Sequence, residues 1–391
     1  MPVAKVSKAM TEKKVKATTK KDLFDKTEIT EETNKMQSDE TVEQASSENT
    51  KSKKSKRASK EKKSIYDLLE EDIRNSDLSL QEQNEHLARL LRARNKKVNI
   101  ILVGATGSGK SSTVNALFDM SVAKVGMGVD PETSVIDKYD LDNLTIWDTP
   151  GLGDGLTDEE YGEMIVEKLS EFDENGDPLI DLVLVVVDAS SKDLGTTYSL
   201  INDVVIPSLG DDAPGRILIG INQADMAMKG KHWDEEKNEP DEVLYEFLRK
   251  KAISIKNRIE SVTGVETRPI FYCAGYTDEN GDQCKPYNLT KLLYYIVKSV
   301  PAEKRLSLAD NINEDEDNWL YDDEEEDYKG EVKKSFFQSV RLYIKQTAEK
   351  ASDIGYDILG IPGDYIGRVL GTQWGLVKGF FKTMFGHPAQ D

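Results

Sequence analysis

Between Lys97 and Pro301, short apolar, β-rich runs alternate with helical stretches: Val98 to Val103, Leu144 to Trp147, Leu182 to Val187, Ile217 to Ile221 and Pro269 to Cys273. The unbroken apolar run from Leu182 to Val187 suits a strand buried on both faces, because a strand with one wet face alternates apolar with polar residues. The alternation of strands and helices predicts an α/β fold with a mainly parallel sheet covered by helices. Upstream, Ile65, Leu68, Leu69 and Ile73, then Leu87, Leu90 and Leu91, recur at helical spacing. Ser79 followed three residues later by Glu82 reads as a capping box opening the second of these helices. Both helices are expected to pack on the domain that follows.

Beyond Pro301 the pattern changes twice. An acidic segment from Asp310 to Asp327 reads as a solvated linker, and a helical region runs from about Glu331 to Phe385. The expected organisation is a tail over 1–63, a helical segment over 64–96, the α/β domain over 97–302, an acidic linker over 303–329 and an amphipathic helical region over 330–391.

Charge sharpens the picture of the tail. Residues 1–63 are rich in Lys, Glu, Ser and Thr and carry 17 Lys/Arg against 11 Asp/Glu, whereas the remainder carries 35 against 61. With few large apolar residues, the tail cannot bury enough surface to offset chain entropy, and it reads as disordered. Its run from Lys51 to Lys63 is either a solvated arm or a contact for RNA or an anionic membrane. The net charge of −20 argues against nucleic acid as the default partner of the body, since phosphate binding needs a basic footprint.

Only Cys273 and Cys284 occur, which implies no disulfide framework and a reducing, cytoplasmic setting. No run of 18 apolar residues is present, and the N-terminus lacks the apolar stretch of a secretory signal.

Candidate chemistry lies at the ends of the apolar runs. The strand from Val98 to Val103 leads into Gly104-Ala105-Thr106-Gly107-Ser108-Gly109-Lys110-Ser111, followed by Ser112 and a helical stretch. This is G-x-x-x-x-G-K-S in the strand-to-helix setting that a phosphate-binding loop requires. Glycines 104, 107 and 109 let the backbone curl so that N–H groups point at phosphate oxygens, and the helix N-terminus adds positive potential. Lys110 would neutralise the β- and γ-phosphates, and the Ser111 hydroxyl would ligate Mg²⁺.

A second element, Asp148-Thr149-Pro150-Gly151, follows the strand Leu144 to Trp147. Asp148 can hold the metal through water, and the Gly151 N–H can sense a γ-phosphate. The third, Asn222-Gln223-Ala224-Asp225, follows Ile217 to Ile221. A carboxylate at Asp225 can accept the N1–H and exocyclic amine of guanine, a pattern that adenine does not offer. Asn222 would brace the loop, and the Ala274 N–H in Tyr272-Cys273-Ala274-Gly275 is expected to donate to guanine O6.

These four motifs in this order resemble the Ras-like superfamily of P-loop GTPases, in its translation-factor-related class. Val98 to Asp154 is most similar to the Era-like branch and to bacterial proteins with a ribosome-binding-type GTPase domain. The resemblance implies a three-layer Ras-like G domain, GTP and GDP with Mg²⁺ as ligands, and GTP hydrolysis. It also marks Thr133 in Asp130-Pro131-Glu132-Thr133 as the switch I threonine on Mg²⁺, and it suggests ribosome or RNA as partners by analogy alone.

Two departures bear on the chemistry. Gln223 stands where the family usually has a lysine whose stem packs beside the base, so a lower nucleotide affinity is expected. Leu152 stands where Ras-type enzymes have a water-orienting glutamine, and an apolar side chain cannot position a nucleophile. Slow intrinsic turnover, raised by homodimerisation through the G domain or by another partner, is therefore expected. Some relatives without the glutamine use potassium held by an asparagine in the loop; here that position is Gly107, which disfavours potassium.

The acidic pentapeptides at 173–177 and 278–282 share part of a calcium-loop pattern but lack the terminal glutamate, and both read as polar turns. His232 has no partner at ligand spacing and reads as a surface loop residue.

Glycines at 363, 367, 371, 375 and 379 recur every four residues through an otherwise apolar stretch. Small residues at that spacing permit close helix packing. Arg368, Lys378 and Lys382 fall opposite an arc that includes Trp374, Phe380 and Phe381. Two expectations stay open: a helix lying in an anionic membrane interface, or one packed on its own core or on a second chain. Function is likewise expected to be either a GTP-hydrolysing switch or a nucleotide-dependent scaffold in which hydrolysis is secondary.

Overall fold

The computed structural model describes residues 64–76, 78–120, 124–126, 136–153, 155–277 and 283–345. All of them belong to the unit Lys60–Asp391. Thr133, the tail and the glycine-spaced helix lie outside the described residues.

The described strands include β1 Val98–Val103, β2 Lys124–Gly126, β3 Asp137–Leu141, β4 Leu144–Asp148, β5 Leu182–Asp188, β6 Ile217–Asn222, β7 Trp233–Asp234, β8 Glu239–Pro240 and β9 Pro269–Phe271. Seven of these form one sheet in the order β2-β3-β4-β1-β5-β6-β9, while β7 and β8 form a separate ribbon. From β4 to β9 all neighbours are parallel; β2 and β3 extend the β4 edge in antiparallel fashion. The apolar runs sit where the sequence places them because both faces are covered. On one face Ile100, Leu102, Leu182, Leu184 and Val186 join one core, and on the other Ile101, Val103, Val183, Val185 and Val187 join a second. Successive side chains of a strand alternate faces, so each run feeds two cores at once.

The first core is covered by α1 Ile65–Arg74, α2 Leu80–Arg94, α3 Lys110–Leu117 and, later in the chain, three further helices described below. The second is covered by α4 Asp158–Leu169, by a run from α5 Gly195–Ser199 through a π-helical stretch into α6 Ile206–Leu209 and on to α7 Ala213–Arg216, and by α8 Glu242–Thr263. This is the three-layer α/β arrangement that the sequence predicts.

The capping box at Ser79 and Glu82 is present, and the same device opens α1 at Ser64 and Asp67 and α4 at Thr157 and Glu160. The buried stripe of α2 differs from the expected one: His86, Leu90 and Ala93 face the core, while Leu91 is turned outward. Spacing alone fixes a helical face only to within a neighbouring position.

The expectation of a solvated linker over 303–329 is corrected. Helix α9 Leu289–Ser299 is followed by α10 Leu306–Ala309, a short 3-10 turn Glu316–Trp319 and α11 Tyr328–Lys345, all contributing to the first core. Leu306, Leu308, Ile312 and Trp319 are each about fully buried, and the Trp319 indole N–H donates to Asn313 O at 2.9 Å. The acids have partners too. Asp322 Oδ1 accepts the Thr290 and Lys291 N–H groups at the start of α9, and Lys291 Nζ lies 2.7 Å from Asp323 and 2.6 Å from Glu325. Acidic composition misled because these carboxylates serve a helix N-terminus and a buried lysine, not water.

Candidate functional site

The loop after β1 leaves the sheet at Gly104. A Cβ there would lie 2.2 Å from Val186 O, so only glycine lets the chain pass β5 at this point. Gly109 has φ of 87°, and a Cβ on it would sit 2.2 Å from Asn222 Nδ2. The loop therefore curls tightly against the end of β6.

Helix α3 begins at Lys110 with no side-chain cap. By contrast α1, α2, α4 and α8 are capped by Ser64, Ser79, Thr157 and Asp241, and α9 by Asp322. An uncapped helix N-terminus facing a curled glycine loop is a positive site fitted for an anion. Lys110 is buried inside the loop, its Nζ 3.2 Å from Gly104 O and 3.4 Å from Ala105 O. Ser108 is buried with its Oγ lacking a protein partner, while Thr106, Ser111 and Ser112 are exposed.

Across the loop, the Ser111 hydroxyl donates to Asp148 Oδ2 at 2.8 Å, so the two expected metal ligands meet. Asp148 Oδ1 is buried without a partner. Burial raises the Asp148 pKa; the Ser111 hydrogen bond and the Lys110 charge oppose that rise only in part. Thr149 Oγ1 donates to Leu102 O at 2.7 Å, which pins the Asp148-Gly151 turn to β1.

Gly151 packs directly on the phosphate loop. A Cβ on it would meet Thr106 Oγ1 at 2.1 Å and Thr106 Cα at 2.4 Å. The Leu152 N–H donates to Gly104 O at 3.0 Å and its carbonyl accepts from Thr106 N at 3.3 Å. The Leu152 side chain is only 9% exposed and belongs to the second core.

At the end of β6, Asn222 joins three segments. Its Nδ2 donates to Ser108 O at 3.0 Å, and its Oδ1 accepts the Ala274 N–H at 3.0 Å. The Ala274 N–H, expected to face guanine O6, is thus directed to Asn222 in this structure. Gln223 takes a bracing role: its Nε2 donates to Gly107 O at 2.8 Å and ties this loop to the phosphate loop. Asp225 Oδ1 is buried without a protein partner.

Two residues to which the motifs assign no role complete the site. Tyr161 on α4 is fully buried; its hydroxyl lies 2.8 Å from Thr149 Oγ1 and accepts the Gly104 N–H at 3.4 Å. Its only sequence signal is the apolar spacing Tyr161, Ile165, Leu169, which announces burial and nothing more. Cys273 is the second: burial first, then the adjacent Asp225 carboxylate, push its thiol pKa well up, so it stays protonated and hydrogen-bonds Asp225.

Residues 99–209 match the family model of the 50S ribosome-binding GTPase. Translocase of chloroplast 108, chloroplastic, from Physcomitrium patens is 32% identical over 100 residues, covering 25% of this chain and 10% of that protein. Uncharacterized protein YkfA from Escherichia coli (strain K12) is 31% identical over 151 residues, 36% of this chain and 47% of that protein. The chain spans less than half the length of the curated relatives it matches. The solved structure of Toc33 from Arabidopsis thaliana in complex with GDP and Mg²⁺ matches 62% of this chain and 99% of that one at 16% identity, with a TM-score of 0.34.

Fold and loop define a P-loop α/β domain built on the β2-to-β9 sheet, and the match over 99–209 makes that stretch similar to the P-loop GTPases. Within that class, residues 99–209 are similar to the 50S ribosome-binding GTPases.

Proposed function

We propose that the chain binds GTP and GDP with Mg²⁺ between the Gly104–Ser111 loop, Asp148 and the Asn222–Asp225 loop, and hydrolyses GTP to GDP and phosphate as a molecular switch. The observation that carries this reading is a set of three buried oxygens without protein partners: Ser108 Oγ, Asp148 Oδ1 and Asp225 Oδ1. Each unsatisfied buried group costs ~1–3 kcal/mol, and these three fall at the phosphate, metal and base positions of the motifs.

The residues fit the ligands. One carboxylate beside a hydroxyl suits a hard cation that takes its remaining oxygens from water and substrate phosphates. Ser111, Asp148 and Thr133 would hold Mg²⁺, which supplies charge neutralisation at the phosphate oxygens when bound. Lys110 and the loop N–H groups of Gly107 and Gly109 orient the triphosphate and take up charge that develops during transfer to water, while Gly104, Thr106 and Ser108, whose N–H groups bond to Tyr161, Leu152 and Ala105, shape the loop around it. Ser112 extends that set along the helix N-terminus. Asp225 reads the guanine edge, Asn222 and Gln223 hold the loop that carries it, and the Gly151 N–H reports the γ-phosphate. Ala274 joins this set by releasing its N–H from Asn222 to guanine O6.

Competition binding tests the assignment: GDP should displace a fluorescent guanine nucleotide while equimolar ADP does not, and Lys110→Ala should abolish binding. Equal displacement by ADP would refute guanine selectivity.

Leu152 favours a second reading. Buried in the core and tied to the phosphate loop through its backbone, it presents no group to orient water. Intrinsic turnover is slow on this account and rises when a second copy or a partner completes the site. In the stronger form, nucleotide binding drives assembly and hydrolysis is secondary. Oligomer size with GDP against a non-hydrolysable GTP analogue separates the two, since a scaffold changes size without turnover.

Peripheral membrane contact through residues 330–391 is part of the same proposal, with the N-terminal tail over 1–63 and the segment over 64–96 as flanking units of the G domain. No described helix is long and apolar enough to cross a membrane. An interfacial contact is proposed from the basic residues Arg368, Lys378 and Lys382 opposite the apolar arc. Flotation with anionic liposomes should be lost on removing 346–391, which leaves α11 in the first core; retention would refute it.

A further inference from the structure

Outside the nucleotide groove, α8, the loop after β5 and the loop after Asp225 enclose a second cavity of about 1030 Å³. Five cations line it, namely Lys192, Lys229, Lys250, Lys251 and Arg258, and no carboxylate does among the described residues. In a body where 61 acids face 35 bases, such a cluster runs against the average charge.

The cations form no ion pair among the described residues, although the Asp188 carboxylate is near enough to favour the Lys251 charge. Lys251 is pinned by carbonyls, with Nζ 2.6 Å from both Ala189 O and Ser191 O. Arg258 lies over the Tyr198 ring at 4.7 Å, and Lys192, Lys229 and Lys250 form no ion pair among the described residues. The neighbouring acids are engaged: Asp188 accepts from the Ser190 N–H and hydroxyl, and Asp193 accepts the Gly195 N–H.

Between the cations the walls are apolar, formed by Leu194, Tyr198, Met228, Phe247 and Ile255, with hydroxyls at Ser190, Ser191 and Ser254. The backbone there is also held in an unfavourable form. Gln223, Met228 and Lys229, with φ of 61°, 54° and 65°, are three of the six described non-glycine residues in the left-handed region, and all three line this cavity. Such strain persists where the surroundings impose it and concentrates at ligand sites.

We propose that this cavity binds a small organic phosphate, with its phosphate among Lys192, Lys229 and Lys250 and its apolar or aromatic body against Tyr198, Phe247 and Met228. The volume is that of a small-molecule site, and ammonium and hydroxyl donors around an apolar floor suit a phosphate on a hydrophobic carrier. Occupancy is coupled to guanine-nucleotide affinity, because Gln223 lines the cavity while its amide holds Gly107 of the phosphate loop, and Asp225 lies between Gln223 and Met228. The coupling rests on the nucleotide reading above; the binding does not.

The test is a calorimetric titration of phenyl phosphate into the full chain saturated with GDP and Mg²⁺, repeated on Lys110→Ala without nucleotide. One phenyl phosphate per chain should bind in both, and more tightly than inorganic phosphate. The exposed double reversal Lys192→Glu/Lys250→Glu should weaken binding about tenfold while leaving GDP affinity measured alone unchanged. Phe247→Ala should weaken phenyl phosphate but not inorganic phosphate. In the wild-type chain, phenyl phosphate should change the GDP dissociation rate at least about twofold, an effect absent from the double variant. No binding to the GDP-loaded chain, indifference to the charge reversals with retained melting, or displacement by a hexaglutamate peptide at lower concentration would each overturn the proposal. The last would point to an acidic protein segment instead. Failure of GDP to bind would sink the nucleotide reading and still leave the Lys110→Ala titration interpretable.

Discussion

Asp225 has one carboxylate oxygen buried without a protein partner while the Cys273 thiol holds the group in place. Asp225→Asn keeps the shape and removes the charge, so GDP affinity should fall about a hundredfold, near 3 kcal/mol for a charged hydrogen-bonding group. Fluorescence titration reads this directly, and a change below about threefold would remove Asp225 from base recognition. Leu152→Gln is the complementary case. Its side chain packs in the second core, so a buried amide there should cost ~1–3 kcal/mol in a urea melt and should not accelerate turnover. Faster hydrolysis by this variant would show that position 152 does reach the water.

The motif residues were legible because their spacing is local: Lys110 and Ser111 follow a strand, Asp148 ends one, Asn222 ends another. Tyr161 and the Cys273 contact were not, since they arise only when distant segments meet. Gln223 was legible as a departure from the lysine pattern, but its bond to Gly107 was not.

Among elements, the five parallel strands of the sheet could be read from apolar runs, whereas the short polar strands β2 and β3 and the fold-back of 303–329 could not, because neither carries an apolar run and composition does not disclose a partner. That fold-back turns on Lys291. Burial works against its charge, yet Asp323 and Glu325 hold the ammonium above the ordinary lysine range. Lys291→Met would strand the buried Asp323 carboxylate and should destabilise the protein by about 3 kcal/mol; a loss below about 0.5 kcal/mol would mean that the acidic segment is not clamped there.

The sheet edge offers a pH test. Burial alone would raise the Asp140 carboxyl, but hydrogen bonds from Lys138, Thr145 and Lys97 overcome it and hold the pKa at about 2. A depressed carboxylate stabilises the folded state above its unfolded pKa near 4, and that contribution is lost as pH falls towards 2. The group is partly exposed, so Asp140→Asn should cost no more than about 1 kcal/mol at pH 7. The difference from wild type should shrink between pH 4 and pH 2; a constant difference would contradict the assignment.

For the molecule as a whole, the proposed guanine site at the C-terminal ends of β1, β4 and β6 is accompanied by a C-terminal region clamped to the first core through Lys291 and α11. The end of β9, which leads into Ala274, and the acidic segment are joined through Asn288, whose Nδ2 donates to Phe271 O at 3.1 Å and to Asp323 Oδ2 at 3.0 Å. Nucleotide state and the C-terminal region therefore share a structural element, as a switch or a scaffold requires. GTP turnover per chain, measured against protein concentration with Lys110→Ala as control, tests the account most directly. A low rate that rises with concentration, and none in Lys110→Ala, is the predicted result. Turnover by Lys110→Ala equal to wild type, or a rapid rate at every dilution, would contradict it.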